Sequence, residues 1–124
     1  MRHRPRDQWI RANGLRIHYR EWSNDGEPLV LLHGLASTSH IWDLVAPLLA
    51  KDFRVITPDQ RGHGQTDKPP SGYQFASVAK DLQSLLNAMD ISMPILIGHS
   101  WGCNVALEFA AIYPKVAKGL CFID

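Results

Sequence analysis

The stretch Pro94-Ile95-Leu96-Ile97-Gly98-His99-Ser100-Trp101-Gly102 joins two patterns within a few residues. Pro94 to Ile97 begins a continuously apolar run, as expected of a strand buried on both faces. Val105, Phe109 and Ile112 then recur at helical spacing. Ala106 and Ala110 are small enough to let that helix lie close on a sheet, and Tyr113-Pro114 stops it. Ser100 therefore falls between a strand and a helix, flanked by glycines in a G-x-S-x-G pattern.

The same alternation extends outward on both sides. Leu29-Val30-Leu31-Leu32, Val55-Ile56-Thr57 and Leu120 to Ile123 are further apolar runs. Phe75, Val78, Leu82, Leu85, Leu86 and Met89 define one face of a helix between the second and third strands of this series. Ile41 to Leu49 is also helical in pattern, with Pro47 confining it to a short piece. At the N-terminus, Gln8 to Ala12 and Leu15 to Glu21 flank Asn13-Gly14, the pair that best tolerates a tight hairpin turn. These features predict an α/β fold: a mostly parallel sheet with an N-terminal antiparallel hairpin and helices on both faces.

Composition narrows the class. The 124 residues are 45% hydrophobic and 20% charged, with 13 basic against 12 acidic side chains, the profile of an ordinary globular chain with room for one domain. A net charge of +1 gives no electrostatic case for nucleic acid or acidic lipid as a partner. Arg2, Arg4 and Arg6 read as a solvated tail. No apolar run approaches the roughly 18 residues of a membrane span, and no apolar segment follows the basic N-terminus as in a secretory signal. Cys103 and Cys121 lie in apolar stretches and are expected to be buried thiols rather than a disulfide or metal pair, with a cytoplasmic location as the default.

In a mostly parallel sheet, chemistry collects at the carboxyl ends of the strands. Ser100 on a sharp turn would project its hydroxyl from the sheet, with the following helix N-terminus beneath any developing negative charge. Gly98 and Gly102 remove side chains that would collide there, and His99 completes the elbow. The bland alternative is a serine N-cap between flexible glycines. Leu29–Leu32 exits into His33-Gly34-Leu35, where the Leu35 backbone N–H can supply one oxyanion donor and Trp101 the other. Asp59-Gln60-Arg61-Gly62-His63-Gly64 leaves the next strand. Asp59 and His63 lack a third metal ligand in the sequence, and the loop reads as scaffold and pocket rim.

With Leu31-Leu32-His33-Gly34, Asp59-Gln60-Arg61-Gly62-His63-Gly64 and Gly98-His99-Ser100-Trp101-Gly102 in this order, the chain resembles the α/β-hydrolase superfamily. The resemblance implies that Ser100 is the catalytic nucleophile, that Leu35 and Trp101 form the oxyanion hole, and that His33, Gly34, Gly98, His99 and Gly102 support them. Trp101 also resembles the tryptophan after the nucleophile in the dehalogenase and epoxide-hydrolase branches. Those branches use an aspartate nucleophile, so serine at position 100 points instead to the esterase, perhydrolase, aminopeptidase-like or carbon–carbon-bond hydrolase branches.

A serine also needs a base and an acid, which in this family follow it in the chain. All six histidines, at positions 3, 18, 33, 40, 63 and 99, precede Ser100. Asp124 stands where a minority of the family carries its acid, with strand-end structure as the competing explanation. Residues 1–124 therefore read as the N-terminal part of a single hydrolase domain, with cap and C-terminal strands absent. The expected function is a serine hydrolase cleaving an ester or related acyl bond of a small-molecule substrate, with no organic cofactor and no metal. The competing reading is a non-catalytic binding or interaction module on a partial hydrolase fold. On either reading Leu120–Ile123 would be an open edge strand prone to self-association.

Overall fold

The computed structural model describes residues 4–124. Among these residues six strands form one sheet: β1 (Arg6–Ala12), β2 (Leu15–Glu21), β3 (Glu27–Leu32), β4 (Phe53–Pro58), β5 (Ile95–His99) and β6 (Gly119–Ile123). Their spatial order is β1-β2-β4-β3-β5-β6. β1, β2 and β4 pair antiparallel, whereas β4, β3, β5 and β6 run parallel. Three α-helices follow β3, β4 and β5 respectively: α1 (Ala46–Leu49), α2 (Phe75–Ala88) and α3 (Trp101–Ile112). A short 3-10 turn, Ser39–Trp42, precedes α1.

The hairpin forms because Asn13 and Gly14 take φ of 52° and 76°, both positive as a type I′ turn demands. β1 begins at Arg6, earlier than the apolar pattern indicated. Arg6 lies opposite Glu21 and Asp7 opposite Arg20, so complementary charges carry the pairing beyond the hydrophobic residues. Arg6 is thus part of the sheet and not of a tail; Arg4 is exposed, and Arg2 lies outside the described residues.

Alternate side chains of the central strands enter two separate cores. Val30, Leu32, Ile56 and Leu96 meet Val78, Leu82, Leu85, Val105 and Phe109 of α2 and α3. Leu29, Leu31 and Val55 point the other way, onto Trp42, Ala46 and Ala50. That division explains why β3 is apolar at every position from Leu29 to Leu32. Pro47 sits in the first turn of α1, where its missing N–H removes no helical bond, so the helix is one short piece as its sequence suggested.

β6 departs from the fully buried pattern. Among the described residues it pairs only with β5, and Leu120, Phe122 and Ile123 are 37%, 51% and 41% exposed. The two thiols also differ from expectation: Cys103, in the first turn of α3, is half-buried with its Sγ toward Gly98 O and Ile123 O, and Cys121, on the edge strand β6, is exposed.

Candidate active site

Chain direction opens the site. β3 and β5 are parallel neighbours, yet β3 leads to the 3-10 turn and α1 on one face while β5 leads to α3 on the other. Adjacent strands leaving toward opposite faces open a crevice at their carboxyl ends, the usual position of ligand sites in such sheets. An open depression there is lined by Leu35, Ser100, Trp101, Cys103, Asn104 and Asp124. The structure thus brings together the serine, both expected N–H-bearing residues and Asp124.

Ser100 occupies φ 54° and ψ −118°, a region a non-glycine residue enters only under constraint. Its N–H donates to Ile123 O at 3.0 Å and its carbonyl accepts from Cys103 N at 2.8 Å. Those bonds hold the backbone through the turn and leave the side chain exposed, with no cap bond to α3. The flanking glycines are required by close approach. A Cβ at Gly98 would lie 2.6 Å from the Gly102 carbonyl, and one at Gly102 would lie 2.3 Å from Leu32 O. Hydrogen at Gly98 thus lets β5 turn directly into α3, and hydrogen at Gly102 lets that helix seat against the end of β3. Gly34 faces the Ser100 Cβ across the crevice, where a methyl group would make a tight 3.4 Å contact.

Neither Leu35 N–H nor Trp101 N–H has an acceptor among the described residues. Trp101 is the first residue of α3, whose leading N–H groups have no intrahelical partner. Leu35 lies in a turn closed by Ser37 N donating to Gly34 O at 3.2 Å. Two unpaired donors beside an exposed hydroxyl are what stabilisation of an oxyanion requires.

The β4 exit loop clamps this turn, a role that reading the loop as scaffold and rim did not resolve. Gln60 N donates to His33 Nε2 at 3.0 Å, and the Gln60 side-chain amide donates to His33 O at 2.8 Å. His33 Nδ1 then carries the ring proton and donates to Gly34 O at 2.7 Å. Burial disfavours a charge on this fully enclosed ring and lowers its pKa to about 4. His63 Nε2 accepts the Ala36 N–H at 3.0 Å, and Asp59 Oδ1 accepts the Ser39 N–H at 2.8 Å. Asp59 is itself fixed by Gln65 N and by His18 Nδ1. Burial works against its ionised form, but these bonds outweigh burial and hold the carboxyl below its usual range.

The other described histidines are turned away from the serine, and His3 lies outside the described residues. The His99 ring meets Trp42 edge-on at 6.4 Å beneath the sheet, His18 lies between Asp59 and Asp7, and His40 pairs with Asp43. Among the described residues none bonds to the Ser100 hydroxyl. Asp124 lies one residue beyond Ile123, whose carbonyl holds Ser100 N.

The fold and these three strand-end motifs define a recognised class: the chain belongs to the alpha/beta hydrolase fold family, whose pattern matches residues 27–124. It is 42% identical over 112 residues to a soluble epoxide hydrolase of Corynebacterium sp. strain C12, an alignment covering 90% of this chain and 39% of that protein. With a haloalkane dehalogenase of Mesorhizobium japonicum it shares 36% identity over 108 residues, covering 87% and 35% respectively. The crystal structure of Cfl2 from Burkholderia cenocepacia superposes with a TM-score of 0.93 at 39% identity, covering 97% of this chain and 41% of that one. The chain thus spans between a third and two fifths of the length of the curated relatives it matches.

Proposed function

We propose that the protein is a serine hydrolase that cleaves an ester or related acyl bond of a small molecule through an acyl-enzyme. The observation carrying this reading is Ser100, an exposed hydroxyl held at φ 54° at the N-terminus of α3 beside two unpaired N–H groups. In this mechanism the Ser100 Oγ bonds to the carbonyl carbon while its proton passes to a base, and the carbonyl oxygen becomes an oxyanion between Leu35 N–H and Trp101 N–H. Collapse breaks the acyl–oxygen bond and the leaving alkoxide takes up the proton. Water then releases the acid and restores Ser100.

The base in this reading is a histidine that follows Ser100 in the full-length protein, beyond residues 1–124, as the family's chain order implies; the described histidines are engaged elsewhere. Residues 1–124 then form the N-terminal part of one hydrolase domain, with Asp124 the candidate acid within it. The relatives named as epoxide hydrolase and dehalogenase support hydrolysis as the general reaction. Serine at position 100 favours the acyl route, because alkylation of a serine by an epoxide or haloalkane would leave an ether that water does not cleave. Unpaired thiols at Cys103 and Cys121 agree with a cytoplasmic setting. Among the described residues no helix is long and apolar enough to cross a membrane.

Fluorophosphonate treatment of the full-length protein tests the reading. Labelling of Ser100 that disappears in Ser100→Ala is expected. An unlabelled, folded protein that hydrolyses styrene oxide would overturn it.

A further inference from the structure

We propose that His63 is a positioning residue for the oxyanion-binding backbone, acting through the amide of Ala36; this rests on the reading of Ser100 as an acyl-transfer nucleophile. Gly34 to Ser37 form a turn closed by Ser37 N to Gly34 O, and its third residue, Ala36, has φ 61°. A positive φ there belongs to a type II turn and favours glycine; alanine holds it under strain. Flipping the peptide between Leu35 and Ala36 would relieve that strain by converting the turn toward type I. The N–H that must swing in such a flip is that of Ala36, and it is held by His63 Nε2 at 3.0 Å.

His63 is itself built for this task. Its Nδ1 faces Arg61 O at 2.9 Å, so Nδ1 carries the proton and Nε2 presents a lone pair. The ring packs against His33 at 4.8 Å and Trp101 at 5.8 Å, the first of which precedes the turn and the second of which bears the other expected oxyanion donor. Gly64 permits the loop to fold this tightly: a Cβ there would lie 2.3 Å from the Asp59 carboxylate. One imidazole thus binds the amide that follows Leu35 and packs on the side chain of Trp101, the two residues of the proposed oxyanion hole. It fixes the backbone on either side of Leu35 N–H without reaching the substrate.

Glutamine can place an acceptor oxygen near the Nε2 position, whereas methionine fills similar space without a comparable acceptor. With p-nitrophenyl acetate as probe and the full-length protein, His63→Met is expected to lower kcat about 10- to 100-fold with KM changed less than about 3-fold, because the oxyanion forms after binding. His63→Gln is expected to recover most of that loss. Affinity for phenylboronic acid, which adds to serine to form a tetrahedral anion, should fall in parallel with kcat/KM. Equal losses in the two variants, or a loss confined to KM, would overturn the proposal.

Should the methionine variant fail to fold, hydrogen exchange in the wild-type protein decides. Ala36 N–H is expected to exchange at least about 10-fold more slowly than the unpaired Leu35 N–H, and equal rates would contradict the proposal. A protected Ala36 in a protein whose Ser100 does not react would instead mean that the contact stands and the nucleophile reading fails.

Discussion

At the residue scale, the site depends on positions where one added carbon cannot be accommodated. Gly102→Ala would place its methyl group 2.3 Å from Leu32 O, joining the elbow and β3 in a backbone clash. A loss of about 1–3 kcal/mol in urea unfolding is expected, together with slower labelling of Ser100. His33 gives a pH signature. Its folded pKa of about 4 lies below the ordinary 6.5, so the unfolded chain takes up a proton that the folded ring refuses. The neutral ring's contribution is complete above pH 6.5 and is lost as pH falls toward 4, by about 3 kcal/mol in all. The stability difference between wild type and His33→Asn, measured by urea unfolding at successive pH values, should shrink by about that amount over this window. A pH-independent difference would show that the ring is not held neutral.

At the scale of elements, the sequence pattern was informative wherever the determinant was local. Asn13-Gly14 announced the hairpin, and the unbroken apolar runs announced strands with a core on each face. Pro47 and Tyr113-Pro114 marked a short helix and a helix end. What escaped were contacts between segments far apart in the chain. Gln60 binds His33 and His63 binds Ala36 across 27 residues in each case, and a loop rich in glycine gives no local sign of which amide it will meet. The start of β1 was missed for a related reason, since Arg6 and Asp7 are placed by charges on β2 and not by apolar alternation. A remaining weakness is the start of α2, where Gln74 stands at the N-cap, exposed and without a capping side-chain bond. Gln74→Asp should stabilise the protein by about 0.5–1 kcal/mol, read as a higher urea midpoint at unchanged slope. No gain would mean that the first turn is already satisfied by water.

At the scale of the whole molecule, the described sheet ends on β1, the outer strand of the hairpin, and on β6. The hairpin covers the outer edge of β4, whereas among the described residues β6 pairs only with β5 and leaves Phe122 and Ile123 exposed. A polypeptide of residues 1–124 is therefore expected to associate through that edge at micromolar concentration, and Phe122→Lys to shift it toward monomer in sedimentation velocity. Monomeric behaviour of the unsubstituted polypeptide would contradict this expectation. Such an edge lies close to the chemistry, because Ile123 O anchors Ser100 N and Asp124 borders the same depression. A strand pairing with β6 would thus bear, through Ile123, on the backbone geometry of Ser100.

The central claim is that Ser100 carries the substrate's acyl group between two half-reactions. Acid quenching of the full-length protein within its first turnovers of p-nitrophenyl acetate, followed by peptide mass analysis, tests it directly. An acetyl adduct on the peptide containing Ser100, absent from Ser100→Ala and lost as turnover completes, is the result this account predicts. Ester hydrolysis that proceeds at full rate in Ser100→Ala, with no adduct trapped in the wild-type protein, would contradict it.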